Sequence, residues 1–239
     1  HVEVYPHLDL QRLEDLLKTK GYRRKLVITE SIFSMDGDSA PLKEIDELCR
    51  KWGGLLMVDE AHATGVVGPE GRGAAGEQGI VPEIQMGTLG KAVGAAGAYV
   101  AGSRLLIDLL INKARSFIYT TAPPPGVLGS ALAGLRIIAS SEGELRRERL
   151  KKNVDEFHRL LLEADLPTSQ PSHIVPVRIG ESHRTMEASA KCLAAGVFAH
   201  GIRYPTVPEG SARLRFTLMS DHTSEDLHKA VSALREAVR

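Results

Sequence analysis

The sequence predicts an α/β protein with a mainly parallel sheet, followed by a separate, smaller α+β unit. Short apolar runs that end in polar residues alternate with segments of helical period before residue 115. Strands alternating with helices argue for a mainly parallel sheet. After the PPPG at 123–126 the pattern changes to long helical stretches and then strand, helix, two strands and helix.

Each element has its own signal. Residues 8–20 put Leu8, Leu10, Leu13, Leu16 and Leu17 on one helical face. KLVITE (25–30) reads as a buried strand with its exit loop, and LKEIDELCRKW (42–52) has helical period. GLLMVD (54–59) is a second buried strand, closed by an acid; EIQMGT (83–88) and GAYVAG (97–102) are a third and a fourth. SRLLIDLLINKA (103–114) is helix-like. Such alternation predicts helices on both faces of the sheet. It also predicts ligands outside the carboxyl ends of the strands, so Glu30 to Ser34, Asp59 to His62 and Thr88 to Lys91 are expected on one rim.

Further along, a helical stretch at 126–165 bends near SSEGE (140–144), and HIVPVRIG (173–180) reads as a strand. RTMEASAKCLAAG (184–196) is a helix closed by Gly196. GIRYPTV and SARLRFTLM are strands, and SEDLHKAVSALREAV is a final helix with Ser224 as N-cap. The domain division is expected at 135/136: residues 1–135 form part of a large domain, and 136–239 a bridging helix with the C-terminal α+β domain.

Composition narrows the class. The 239 residues are 43% hydrophobic and 25% charged with zero formal net charge, which gives no sign of a nucleic-acid groove or a membrane surface as main partner. No apolar run reaches the ~18 residues of a membrane span. Cys49 and Cys192 are far apart in helix-like segments. Two free thiols in a reducing compartment, the cytoplasm, are expected, without a disulfide framework or metal site. HVEVYPHLDL has no signal-peptide pattern; it lacks an initiator Met, so the chain is expected to be a fragment.

Two clusters carry chemistry. In VDEAHATG a strand delivers Asp59 to its end, with His62 three residues on. DEAH after a strand also marks nucleotide hydrolases, but no upstream G-x-x-x-x-G-K-[ST] loop is present. One Asp and one His do not fill a metal shell. In GTLGKAVGAAGA (87–98) Lys91 is flanked by small residues that let a planar ligand approach, and a desolvated lysine is a usable amine nucleophile. Thr88 offers a hydroxyl to a phosphate or carboxylate. A lysine at one strand end and a carboxylate at another are the polar fittings for pyridoxal phosphate, the aspartate keeping the pyridine nitrogen protonated.

TESIFSMDGDSAPL, MVDEAHATGVVGPEGRG, GTLGKAVGAAGA, RSFIYTTAPPP and YPTVPEGSARLRFTLMSDHT together resemble the α-oxoamine synthases, acyltransferases of the fold-type I pyridoxal phosphate group related to the aminotransferases. The resemblance runs nearly end to end. The GDSAPL, SFIYTTA and PTVP segments look most like members that condense L-alanine with pimeloyl-CoA, or the acyl-carrier-protein thioester, in biotin biosynthesis. Members acting on glycine and acetyl-CoA are the alternative.

The resemblance implies that Lys91 carries the cofactor and later moves the substrate's α-proton. It implies that Asp59 partners the pyridine nitrogen and that His62 lies near the phenolic oxygen. Ser34 and Thr88 approach the cofactor or its phosphate. Arg215 takes the substrate carboxylate, with Arg213 as competitor because residues two apart on a strand share a face. Thr206 sits at a substrate contact. Thr120 and Thr121 lie where a neighbouring subunit reaches the phosphate, which implies a homodimer. Plain structural readings stay open: a turn-forming Ser34, a strand-end His62, a β-branched strand residue at Thr206, and capping or turn roles for Glu30 and Asp36. His7, His173, His200 and His222 read as structural or surface residues. Family members carry an N-terminal portion ahead of the segment that matches His1; it supplies the ring stacked on the cofactor, a phosphate-binding turn and part of the thioester pocket. An inactive fragment that only dimerises or binds cofactor is therefore a third expectation.

Overall fold

Four strands form the first sheet in the computed structural model, which describes residues 1–19 and 21–239. Strands β1 (Lys25–Glu30), β2 (Gly54–Asp59) and β3 (Ile84–Thr88) run parallel, and β4 (Ala98–Gly102) returns antiparallel beside β3. The order β1-β2-β3-β4 follows the chain. Glu30 pairs with Asp59 and Asp59 with Met86, so the three parallel strands end on one rim, as the alternation predicted.

Helices α1 (Leu10–Lys18) and α2 (Leu42–Trp52) pack on each other, and α2 packs on β2. Leu13, Leu17, Leu42, Ile45 and Cys49 are buried there, as are the strand residues Val27, Leu56 and Val58, each contributing about 1.5–3 kcal/mol by leaving water. The alternate residues Leu26, Ile28 and Leu55 are 48%, 59% and 44% exposed. Of the helices expected on both faces, α1 and α2 stack on the same side, and among the described residues Leu26, Ile28 and Leu55 on the other face of β1 and β2 stay exposed. Leu8 is also corrected out of α1. Asp9 caps the helix by accepting from the Arg12 amide at 2.8 Å, and Leu8 precedes the cap at φ 59°. Residue 20, the last of the expected helix, lies outside the described residues.

After β4, Ser103 caps α4 (Arg104–Lys113); α5 (Arg115–Ile118) and α6 (Pro125–Ile138) follow. The expected bend is a break: α7 (Ser141–Glu163) starts anew after Ser140, whose Oγ donates to the Ile137 carbonyl. A Cβ at Gly143 would stand 2.4 Å from the carbonyl oxygens of Ile137 and Ile138, so this turn requires glycine.

The chain divides into two units, residues 1–32 with 39–144, and residues 33–38 with 145–239. In the second, β5 (Ile174–Gly180), β7 (Ala212–Thr217) and β6 (His200–Ile202) form an antiparallel sheet in the order β5-β7-β6. Its core joins Phe157 and Leu161 of α7, Val175 and Val177, Leu214 and Phe216, Cys192 of α8 (Ser182–Ala194), and Leu227 and Leu234 of α9 (Ser224–Ala237). Two sequence expectations change here. GIRYPTV is a strand only at its start, because Pro205 has no N–H for a ladder and the chain turns, with the Thr206 amide donating to the Arg203 carbonyl at 3.0 Å. The N-cap of α9 is Thr223 rather than Ser224: Thr223 Oγ1 accepts from the Asp226 amide, and the Asp226 carboxylate accepts from the Thr223 amide.

Candidate active site

The rim of the first unit carries Asp59, His62, Thr88 and Lys91 of the expected site. Asp59 ends β2, half-buried, and its Oδ1 accepts from the Ala61 amide at 2.8 Å. Asp59 Oδ2 has no hydrogen bond among the described residues. The next turn is wound on Glu60: its carbonyl accepts from the amides of Ala63 (2.9 Å) and Thr64 (2.8 Å), and its own amide donates to the Met86 carbonyl at 2.7 Å. This turn presents His62 to Lys91, with Nε2 and Nζ 2.9 Å apart.

Lys91 lies in the loop that joins β3 to β4. That loop is closed by the Leu89 amide donating to Gly97 (2.9 Å), Ala95 to Leu89 (2.8 Å) and Gly94 to Lys91 (3.0 Å). Thr88 helps hold it: its hydroxyl donates to the Gly97 carbonyl at 3.2 Å and accepts from the Gly90 amide at 3.1 Å. Lys91 itself is exposed, as are Gly90, Ala92 and Gly94. The expected desolvation of this lysine is therefore corrected; its neighbours let a ligand approach but are too small to cover it. Thr120 and Thr121 are exposed on the segment between α5 and α6, with no hydrogen bond to Lys91, His62 or Asp59 among the described residues.

Sequence reasoning missed the group that organises the rim. Glu60 is fully buried. Its Oε2 accepts from Ser31 Oγ at 2.7 Å and from the Ala74 amide at 3.0 Å, and its Oε1 accepts from the Ala75 amide at 2.8 Å. One carboxylate thus joins the exit of β1 to the start of the short helix α3 (Ala74–Glu77). The available signal was an acid directly after a buried strand, followed by the small-residue run Gly73 to Gly76. Tyr99, also missed, meets Thr64 hydroxyl to hydroxyl at 3.0 Å.

The second unit holds the other expected residues. Ser34 and Asp36 lie in the turn 33–38, which is closed by the Phe33 amide on the Asp38 carbonyl (2.9 Å) and the Gly37 amide on the Phe33 carbonyl (2.8 Å). Arg213 and Arg215 both reach this turn from β7. Arg213 is buried; its Nη1 donates to the Asp36 carboxylate at 2.5 Å and to the Met35 carbonyl at 3.1 Å, and its Nε to the Ser211 carbonyl at 3.1 Å. Among the described residues Arg215 has only neutral acceptors: Nε donates to the Ser34 carbonyl at 2.7 Å and Nη1 to Thr217 Oγ1 at 3.2 Å. Burial draws its guanidinium pKa below the usual value, yet an arginine stays charged at neutral pH. Thr206 is exposed in the turn after β6. Among the described residues no cluster of His, Cys, Asp and Glu is fit to hold a metal, and no helix is long and apolar enough to cross a membrane. Cys49 and Cys192 are buried free thiols.

Comparison with known proteins identifies the family and the fold. The family described as aminotransferase class I and II matches residues 1–234. Among curated relatives, the 8-amino-7-oxononanoate synthase of Geobacter metallireducens is 50% identical over 96% of this chain and 60% of its own length. That of Geobacter sulfurreducens is 47% identical over 96% and 60%. The chain spans about three fifths of the length of these relatives. Among solved structures, a serine palmitoyltransferase from S. paucimobilis with a bound PLP–myriocin adduct superposes with TM-score 0.91 at 28% identity, over 97% of this chain and 59% of that one. The 8-amino-7-oxononanoate synthase of Francisella tularensis superposes with TM-score 0.83 at 30% identity, over 97% and 67%. The chain therefore has the fold-type I architecture expected from its sequence.

Proposed function

The chain belongs to the aminotransferase class I and II family, and from that premise we propose that it is the catalytic and C-terminal part of a pyridoxal phosphate-dependent acyltransferase. The reaction we assign is the decarboxylative condensation of L-alanine with pimeloyl-CoA, or the acyl-carrier-protein thioester, to 8-amino-7-oxononanoate in the cytoplasm. The observation that carries this reading is the 2.9 Å contact between Lys91 Nζ and His62 Nε2 on the rim where Asp59 ends β2. The identity of 44–50% to curated 8-amino-7-oxononanoate synthases supports the choice of substrates.

The donor set fits the cofactor. An exposed primary amine at Lys91 can condense with its aldehyde, and Asp59 Oδ2, with no partner among the described residues, can accept from a protonated ring nitrogen. Bound pyridoxal phosphate supplies an electron-withdrawing ring that makes a carbanion accessible at an amino acid's α-carbon. The chain's own residues do the rest. Lys91 Nζ would hold the cofactor and could afterwards carry the α-proton; His62 Nε2, 2.9 Å away, would orient that amine beside the phenolic oxygen, and Asp59 would keep the ring nitrogen protonated. Thr88 secures the lysine loop and would contact the phosphate, and Ser34 would contribute to holding the cofactor. Arg215, which meets no carboxylate among the described residues, would hold the substrate carboxylate, and Thr206 would contact the substrate. A homodimer is part of the proposal, with Thr120 and Thr121 meeting the phosphate of the neighbouring subunit.

Two measurements test it. The full-length holoenzyme is expected to show a visible cofactor band that Lys91→Ala abolishes; a variant that still holds the cofactor covalently refutes the lysine assignment. Alanine and glycine, each offered with pimeloyl and acetyl thioesters, read the substrates directly. Turnover confined to glycine and acetyl-CoA would replace the assignment with the glycine C-acetyltransferase reaction.

A further inference from the structure

Two arginines leave β7 on the same side, two residues apart, and their surroundings differ in one respect. Arg213 spends its charge on a carboxylate, Asp36, and Arg215 does not. A guanidinium already paired with a carboxylate gains less from a second one, whereas one held by neutral acceptors keeps its attraction for an incoming anion. Arg213 also fixes the main chain of the turn through the Met35 carbonyl. The neighbouring carbonyl, that of Ser34, is the one that receives Nε of Arg215. The turn is pinned a third time at Gly37, where a Cβ would lie 2.1 Å from the Ile174 carbonyl oxygen at a φ of 72°. Asp36 and Arg213 are 177 residues apart in sequence, yet both act on the same few backbone atoms.

We infer that Asp36 and Arg213 are a positioning pair: they hold the turn 33–38 on β7 so that the Ser34 carbonyl orients Arg215 for the carboxylate of the amino-acid substrate. This rests on the proposed role of Arg215 and adds residues that neither touch the substrate nor take part in the chemistry. A misaligned carboxylate ligand weakens capture of the amino acid and leaves the thioester site alone, which is a pattern that general loss of folding does not produce.

The experiment uses the full-length holoenzyme with L-alanine and the pimeloyl thioester, and the variants D36N, R213K and R215K. Asp36 is half-exposed, so D36N keeps the fold even if R213K does not. D36N is expected to raise KM for alanine about tenfold, with kcat within about twofold and the thioester KM unchanged. Binding of alanine, followed by the change in the cofactor's visible spectrum, is expected to weaken by the same factor. R213K, which keeps a charge for Asp36 but not the fork that grips Met35 and Ser211, is expected to fall between wild type and D36N. Unchanged alanine binding in D36N and R213K, or a parallel rise of both Michaelis constants, overturns the pair. R215K separates the two proposals: if alanine binding survives in R215K the carboxylate assignment itself fails, and if it is lost in R215K but intact in D36N only the positioning pair fails.

Discussion

Glu60 allows a quantitative test of how much of the rim depends on one buried carboxylate. Three donors converge on its two oxygens: the Ser31 hydroxyl and Ala74 amide on Oε2, and the Ala75 amide on Oε1. Glu60→Gln keeps the shape but has only one acceptor end. With the amide nitrogen on the Oε1 side, it faces the Ala75 N–H donor to donor. With the nitrogen on the Oε2 side, the Ser31 hydroxyl can rotate to accept, but the Ala74 N–H loses its partner. Either way one buried backbone donor is orphaned, at a cost of about 1–3 kcal/mol. Glu60→Ala orphans all three donors and leaves a void, so its cost is about twice as large or more. Urea unfolding followed by circular dichroism should rank wild type above E60Q and E60Q above E60A, with steps of those sizes. The visible cofactor band should weaken in the same order, because His62 rides on the turn wound on Glu60. Equal unfolding midpoints for all three proteins would refute the reasoning.

Two further outcomes concern groups outside the rim. His158 is buried, with Nδ1 2.5 Å from Thr168 Oγ1, and burial lowers its pKa from 6.5. The folded protein therefore takes up that proton less readily than the unfolded chain. Its contribution to stability is intact above about pH 6.5 and is lost as pH falls through the lower folded value; urea midpoints should decline over that window and decline less in His158→Gln, and equal slopes would dismiss the histidine as the cause. The Cys49 thiol is pushed up to about 12, chiefly by burial and then by the carboxylates of Glu83 and Asp46. A thiol-specific disulfide reagent at neutral pH should leave Cys49 unmodified until denaturant is added; prompt modification in the native state would contradict that environment.

What the sequence disclosed and what it hid follow physical lines. β1, β2 and α2 were legible to the residue because their apolar spacing is bounded by polar residues, glycine or, ahead of α2, Pro41. The rim followed from strand direction alone, and Asp59, His62 and Lys91 with it. Ends set by competition between neighbours were not legible. Asp9 rather than Leu8 opens α1, and Thr223 rather than Ser224 caps α9, because each offers a side-chain oxygen at the right distance from the first free amides. Burial was invisible too. Glu60 read as one letter of a motif already claimed by Asp59 and His62, although it is the most enclosed acid of the rim. The choice between Arg213 and Arg215 stayed open because the carboxylate that distinguishes them, Asp36, lies at the other end of the chain.

The Glu60 carboxylate has a consequence for how this protein can be altered. Residue 60 and residues 74 and 75 meet at the same pair of oxygens, so the stretch from 61 to 73 is a ring fastened at a single clasp. The Gly65 amide on the Gly71 carbonyl (2.8 Å) and the Gly73 amide on the Val67 carbonyl (3.0 Å) cross-brace it. A graft or length change at Pro69 and Glu70, its exposed tip, is insulated from Asp59 and His62 as long as the clasp and its braces close. Gly73 is the hinge of that clasp: a Cβ there would stand 2.5 Å from Glu60 Oε2, so any transplanted loop must end in glycine.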